Sequence, residues 1–171
     1  MYYTSIYIFD MVALYILIGF VAFCFMEFVA WSNHKYLMHG FLWKWHKDHH
    51  RRDSKKLIEM PLHTEAQHFE KNDRFFIMYA TPAIILLLVG FWLNYPSLIA
   101  LGIGITAYGL TYFLIHDVII HERLPFYFLQ KKDNRYIRAI RSSHLAHHKP
   151  KTKKDFHNYG LLVFPSRFFK S

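Results

Sequence analysis

The sequence predicts an all-α protein, a polytopic integral membrane helical bundle with about three spans and a cytoplasmic histidine-rich cap. Three observations predict it. Three long stretches are apolar, the basic residues are confined to the segments between and after them, and ten histidines fall into two copies of one spacing. The length of 171 residues favours a single domain covering residues 1–171.

The composition combines 53% hydrophobic and 19% aromatic residues with a formal net charge of +9. This combination is typical of a small integral membrane protein with a basic aqueous side. The lone cysteine, Cys24, excludes an internal disulfide.

The first predicted span covers residues 6–31, long enough to cross a bilayer at about 1.5 Å per residue. It is not expected to be a cleavable signal peptide, because no basic residue precedes Lys35 and the apolar stretch continues directly into the first histidines. Glu27 lies late in this span. Such a carboxylate either reaches water at the interface or faces the bundle interior as the partner of a metal-bound histidine.

The second and third spans, residues 75–93 and 98–115, are separated by four turn-forming residues and predict a tight helical hairpin. The connector before them is polar and basic, and its Asn72-Asp73 pair is expected to cap the second span. His63 and His68 in this connector are interpreted as surface residues. The tail after Pro150 could cover the site, so the role of His157 stays open.

All lysines and arginines lie between residues 35 and 74 or between 123 and 170. Basic loops stay in the cytoplasm, so we expect all ten histidines on the cytoplasmic side of the membrane. The 94–97 turn is then expected on the far side.

The ten histidines follow the pattern HxxxxH…HxxHH twice. The first copy is His34, His39, His46, His49 and His50, and the second is His116, His121, His144, His147 and His148. On an α-helix, positions i, i+3 and i+4 share a face, so each HxxHH predicts three imidazoles that point the same way. At about 100° per residue, His34 lies nearly opposite His39. Each HxxxxH pair therefore needs a local break, with Gly40 as a candidate in the first copy, or its members bind different metals.

Ten imidazoles exceed what one ion can use, so two metal ions are predicted. Structural zinc sites favour cysteine, whereas imidazole also suits iron. Nearby carboxylates are candidates for orienting metal-bound imidazoles: Glu27, Asp48, Asp117 and Glu122. Because adjacent helical residues point about 100° apart, the geometry disfavours direct pairing inside the doublets His116-Asp117 and His121-Glu122 and leaves pairing between the two copies open.

A histidine-rich di-metal site at a membrane surface favours O₂ activation and oxidation of a C–H bond in a lipid-like substrate. No zinc protease motif, phosphate-binding glycine loop or nucleophile elbow competes with this interpretation. Nucleic acid is not an expected partner, because the positive charge lies beside membrane spans, where membrane lipids or an acidic redox protein are available.

Six segments of the sequence carry a family resemblance: Met26–Trp31, His34–Gly40, Phe69–Asp73, Tyr108–Phe113, His116-Asp117 and Arg123–Phe126. In these segments the chain resembles the bacterial β-carotene 3-hydroxylases, within the wider fatty-acid hydroxylase and sterol desaturase superfamily, and the resemblance implies the inner membrane of a bacterium as its location. It implies two non-haem iron ions held by the ten histidines, with O₂ as co-substrate and reduced ferredoxin as electron donor. The implied reaction is hydroxylation of carbon 3 of the β-ionone rings, converting the carotenoid substrate β-carotene through β-cryptoxanthin to zeaxanthin.

Two alternatives remain. One is a fatty-acid or sterol hydroxylase or desaturase on the same scaffold, which differs only in the shape of its substrate pocket. The other is a non-catalytic membrane metal-binding or transport protein. A transporter should place its ligands near the bilayer midplane, whereas these histidines lie at the ends of spans.

Overall fold

The computed structural model describes residues 2–56 and 70–170, and the side chains of residues 9–50 and 70–170. His63 and His68 lie outside the described residues. The predicted all-α fold is confirmed, since no strand occurs among them. The α-helices are α1 (Tyr2–Ser32), α2 (Trp43–Lys56), α3 (Phe75–Trp92), α4 (Pro96–Phe113), α5 (Tyr127–Gln130), α6 (Arg135–His148) and α7 (Lys153–Phe156). Two π-helices, Asn33–Phe41 and Leu114–Ile120, and two 3₁₀ helices, Lys71–Arg74 and Ser166–Lys170, complete the secondary structure.

Three helical stretches are long and apolar enough to cross a membrane: Phe9–Phe41, Lys71–Trp92 and Pro96–Ile120. Their large apolar side chains are exposed, with Phe20 62% and Leu88 66% accessible. Exposed apolar surface of this extent needs a lipid environment. The chain is therefore a membrane protein, and the prediction of three spans is confirmed.

The chain divides into two compact units. The first comprises residues 1–26 and 75–110, and the second comprises residues 27–74 and 111–171. The single domain predicted over residues 1–171 stays a prediction.

In the first unit, α1 and α4 approach closely because glycines face each other. A Cβ atom on Gly104 would collide with the carbonyl oxygen of Gly19, and the ring of Phe23 packs edge-on against Tyr108 at 5.6 Å. Small residues at such crossings allow the backbones of membrane helices to touch. Asn94 adopts a left-handed conformation (φ 55°) in the short turn between α3 and α4, which agrees with the predicted hairpin.

The second unit contains both π-helices, α2 and the chain from α5 to the C-terminus. Its core includes two aliphatic side chains with no exposed surface, Val118 and Ile140. Eight histidines are also buried in it: His34, His46, His49, His116, His121, His144, His147 and His148. A polar core of this size needs partners for its ring nitrogens, and these define the candidate site.

Candidate metal centre

A π-helix, in which the backbone bonds to the carbonyl five residues earlier, contains the first HxxxxH pair, and a second π-helix contains His116 and ends directly before His121. The amide of His121 donates to the carbonyl of His116 at 2.9 Å, and the amide of Leu42 donates to Leu37 at 2.7 Å. This winding brings residues five apart onto one side of the helix. This π-helical winding is the local break that the sequence required. It keeps the two histidines of each HxxxxH pair on the same side of the helix. Gly40 (φ −110°, ψ −112°) forms the kink that follows the first pair.

The first histidine cluster comprises His34, His39, His46, His50 and His147. One nitrogen from each lies within 4.8 Å of the others. The Nε2 atom of His46 lies 3.1 Å from that of His34 and 3.1 Å from that of His50. The Nε2 atom of His147 lies 2.9 Å from that of His39.

The second histidine cluster comprises His49, His116, His121 and His144, all of them buried. Its ligand nitrogens obey the same 4.8 Å limit, and the Nε2 atoms of His121 and His144 are 2.9 Å apart. His148 lies beside both clusters. Its ring stacks on His50 with centroids 4.2 Å apart and lies 4.6 Å from the ring of His144.

The middle histidine of each HxxHH crosses to the other cluster. His49, from the first copy, joins the second cluster, and His147, from the second copy, joins the first. The three imidazoles of each HxxHH, predicted to point the same way, therefore do not all belong to one cluster. Positions i+3 and i+4 share a broad helical face but diverge enough to serve two sites.

The donor atoms of both clusters fit transition-metal ions. Two imidazole nitrogens bound at about 2.0–2.1 Å to one ion at right angles lie roughly 3 Å apart, as the Nε2 pairs do here. The Nε2 atom of His49 is buried and has no hydrogen-bond partner among the described residues. A metal ion would satisfy this nitrogen, and an all-imidazole donor set suits iron among other metals.

The protonation state also favours metal binding. Burial is the largest cause that lowers the pKa of His147 to about 3, and the neighbouring His39 and His148 contribute to the same shift. Burial is likewise the main cause that holds the pKa values of His46, His50 and His144 well below 6.5. These imidazoles are neutral at physiological pH, which is the form that binds metals.

Neutral oxygens hold three rings of the first cluster by their Nδ1 atoms. The carbonyl of Tyr159 lies 2.9 Å from His34 Nδ1, and the carbonyl of Phe156 lies 2.8 Å from His147 Nδ1. The side-chain oxygen of Asn72 lies 2.7 Å from His46 Nδ1. An acceptor at Nδ1 fixes the tautomer that leaves Nε2 free to bind a metal. The C-terminal tail is thus part of the site.

Carboxylates hold two rings of the second cluster. Glu70 Oε2 lies 3.1 Å from His49 Nδ1, and Asp117 Oδ2 lies 3.2 Å from His116 Nδ1. Arg123 in turn donates to Asp117 at 2.7 Å and forms a two-pronged pair with Asp73 at 2.7 Å. The hydrogen bond with Asp73 is the main cause that raises the pKa of Arg123, so this guanidinium stays charged.

The four carboxylates singled out from the sequence have different surroundings. Asp117 contacts the histidine beside it, the pairing that the angle between adjacent helical residues disfavoured. Glu27 accepts hydrogen bonds from the amides of the C-terminal tail. Asp48 pairs with Lys71 at 3.7 Å. Glu122 has φ 51° and forms no hydrogen bond or ion pair with a histidine within the described part of the chain.

Sequence reasoning missed Glu70 and Asn72 as partners of histidines. The Phe69–Asp73 segment carried part of the family resemblance, but its Asn72-Asp73 pair was interpreted as a helix cap. The carboxylate of Glu70, two residues before that pair, and the amide of Asn72 within it were the available signal. His157 is exposed and contacts Phe156 and Tyr159 through its ring, outside both clusters.

Comparison with known proteins agrees with this geometry. The fatty acid hydroxylase family model matches residues 19–171. The chain belongs to the fatty acid hydroxylase family. It is 35% identical to a β-carotene hydroxylase of Pantoea ananas, over 87% of this chain and 77% of that protein. A Paracoccus β-carotene hydroxylase is also 35% identical, over 82% of this chain and 78% of the relative.

A chloroplastic β-carotene 3-hydroxylase of Gentiana lutea is 37% identical over 82% of this chain and 40% of its own length. No solved structure matches the chain. The resemblance to the bacterial β-carotene hydroxylases is therefore confirmed by relatives that align over most of both chains.

Proposed function

We propose that this protein is a membrane β-carotene hydroxylase that acts on carbon 3 of the β-ionone rings and forms zeaxanthin through β-cryptoxanthin. The observation that carries the proposal is the pair of histidine clusters, in a chain that aligns over most of its length with β-carotene hydroxylases. Two non-haem iron ions held by these histidines would supply the O₂ chemistry that the hydroxylation of a C–H bond requires.

The ligands that we propose are the nine histidines of the two clusters and His148. His148 occupies in the second copy the position of His50 in the first, and its ring lies 4.6 Å from that of His144. It is therefore assigned to the second cluster as the counterpart of His50. The histidines bind and orient the metal, while the acceptors at Nδ1 keep the rings in place.

The reaction requires electrons from outside. Insertion of one oxygen atom of O₂ into a C–H bond, with reduction of the other to water, consumes two electrons and two protons. Reduced ferredoxin is the proposed donor, in keeping with the sequence resemblance. The second unit is rich in lysine and arginine, which favours docking of an acidic protein on its aqueous surface.

Hydroxylation of a fatty acid is the second candidate, because the matching family model is that of the fatty acid hydroxylases. Expression of the chain in bacterial cells that accumulate β-carotene separates the two. We expect β-cryptoxanthin and zeaxanthin in the pigment extract and no pigment conversion by the His46→Ala variant. Unchanged pigments together with new hydroxylated fatty acids would favour the second candidate.

A further inference from the structure

We infer that the two histidine clusters are unequal metal sites, and that Glu70 and Asp117 make the second cluster the tighter one. The inference rests on the di-metal centre proposed above. These two carboxylates raise the affinity for the metal through the histidines that they contact. The two residues are positioning residues, because they hold imidazoles and do not themselves belong to the clusters.

The two clusters differ in the group that accepts a hydrogen bond from the imidazole Nδ1 atoms. In the second cluster, His49 and His116 contact carboxylate oxygens at 3.1 and 3.2 Å. A carboxylate that accepts a hydrogen bond from the Nδ1–H group makes the imidazole a more basic ligand through its Nε2 atom. The contact of Glu70 with His49 is buried, since Glu70 is 8% exposed and His49 is 2% exposed. Water therefore screens it little.

Three rings of the first cluster contact neutral oxygens instead. His34 and His147 face the backbone carbonyls of Tyr159 and Phe156, and His46 faces the amide oxygen of Asn72. These acceptors fix the same tautomer, but they bring no negative charge to the ring. The geometry of the two clusters is thus similar, whereas their electronic surroundings differ.

The side chains around the second cluster carry a net negative charge. Glu70, Asp73 and Asp117 contribute three negative charges and Arg123 contributes one positive charge, which leaves a net charge of −2 on this network. The amide of Glu70 donates to Asp73 at 2.9 Å, so the network is continuous. A divalent cation is stabilised by nearby negative charge in a partly buried environment. Metal added to the empty protein should therefore fill the second cluster first.

The expected change in metal affinity can be given an approximate size. Loss of a group that hydrogen-bonds a metal-bound histidine typically lowers metal affinity by about 10–100-fold. Replacing Glu70 by glutamine keeps the shape of the side chain and removes its charge. Replacing Asn72 by aspartate does the opposite at the first cluster, because it brings a carboxylate to the Nδ1 atom of His46. The two substitutions should act on different sites and in opposite directions.

The experiment is a titration of the full-length metal-free protein with Co²⁺ in detergent, followed by calorimetry and by the visible absorption of bound Co²⁺. The unmodified protein should bind two ions in separate steps. Glu70→Gln should weaken the tighter step by about 10–100-fold and leave the weaker step unchanged. Asn72→Asp should tighten the weaker step. Asp48→Asn is the matched control, since Asp48 pairs with Lys71, and it should change neither step.

Two equal steps in the unmodified protein, or an effect of Glu70→Gln on the weaker step, would overturn the inference. Circular dichroism checks that each variant folds, and Asp117→Asn supplies the same test if Glu70→Gln does not fold. The titration involves no carotenoid. Conversion of β-carotene by a protein with two equal sites would refute the inequality alone, and ordered Co²⁺ binding without pigment conversion would refute the proposed reaction alone.

Discussion

The Nε2 atoms of His39 and His147 lie 2.9 Å apart, although 108 residues separate them along the chain. His147 comes from the second copy of the histidine pattern, yet it lies in the first cluster, and His49 makes the reverse crossing. Each cluster thus takes ligands from α2 and α6 or their preceding π-helices. Neither copy of the pattern can form a complete site without the other.

His147→Ala and His49→Ala should therefore damage different clusters. Each substitution removes one imidazole nitrogen, so we expect the affinity for one of two metal ions to fall by at least about 10-fold and zeaxanthin formation to be lost. Iron content and pigment conversion measure the two effects. His157→Ala is the control, because this exposed histidine lies outside both clusters. A protein that kept two irons after either of the first two substitutions would contradict the assignment.

The sequence predicted the three spans and the histidines that come together, because hydropathy and spacing are local properties. It could not predict the crossing of His49 and His147, since a periodicity of about 100° per residue describes one helix and not its partner. The same assumption placed His34 opposite His39, whereas the π-helix brings them together. Spacing of five residues, repeated in both copies, was the signal for this rare winding. The partner Glu70 was hidden because its contact with His49 depends on tertiary structure.

Arg123 should be needed for its shape as well as for its charge. It contacts two carboxylates, Asp73 and Asp117, and a lysine cannot reproduce the two-pronged contact. Arg123→Lys should release Asp117 from its position beside His116 and lower activity by about 10–100-fold. Pigment conversion at matched expression measures the loss. Arg138→Lys, in an exposed pair with Asp133, should leave activity unchanged, and equal losses in both variants would contradict this role.

Glu27 should support the first cluster through the C-terminal tail. Its Oε1 atom accepts hydrogen bonds from the amides of Leu161 and Val163, both at 3.0 Å, and Tyr159 in the same segment holds His34. Glu27→Ala removes this acceptor and should lower metal content and activity by about 10-fold. Glu27→Gln keeps a side-chain oxygen that can accept both bonds, so it should retain most of both. Susceptibility of the tail to limited proteolysis gives a readout that is independent of activity, and an unchanged digestion pattern in Glu27→Ala would argue against the anchoring role.

The distribution of basic residues predicts the orientation in the membrane. In a variant without Cys24, a cysteine at Ser97 in the turn between the second and third spans should react with an impermeant thiol reagent in intact cells. A cysteine at the exposed Ser166 should react only after the cells are opened. The reverse labelling pattern would place the histidine clusters outside the cytoplasm and remove access to a cytoplasmic ferredoxin.

Packing of the membrane helices gives a prediction that does not involve the metal. A Cβ atom on Gly104 would collide with the carbonyl oxygen of Gly19 and lie 2.9 Å from the Cβ atom of Ala22. Backbone cannot move aside easily, so Gly104→Ala should lower the free energy of unfolding by about 1–3 kcal/mol. On the same helix, a Cβ atom on Gly109 would meet nothing within 4 Å.

Gly109→Ala should therefore be neutral or stabilise the protein by up to about 1 kcal/mol, because alanine loses less conformational entropy than glycine in a helix. Unfolding in mixed detergent micelles, followed by circular dichroism on metal-free samples, compares the two variants directly. Because both substitutions add the same methyl group to α4, a difference between them reports the contact with α1 and not helix propensity. Equal stability of the two variants would show that Gly19 and Gly104 do not pack as the structure describes.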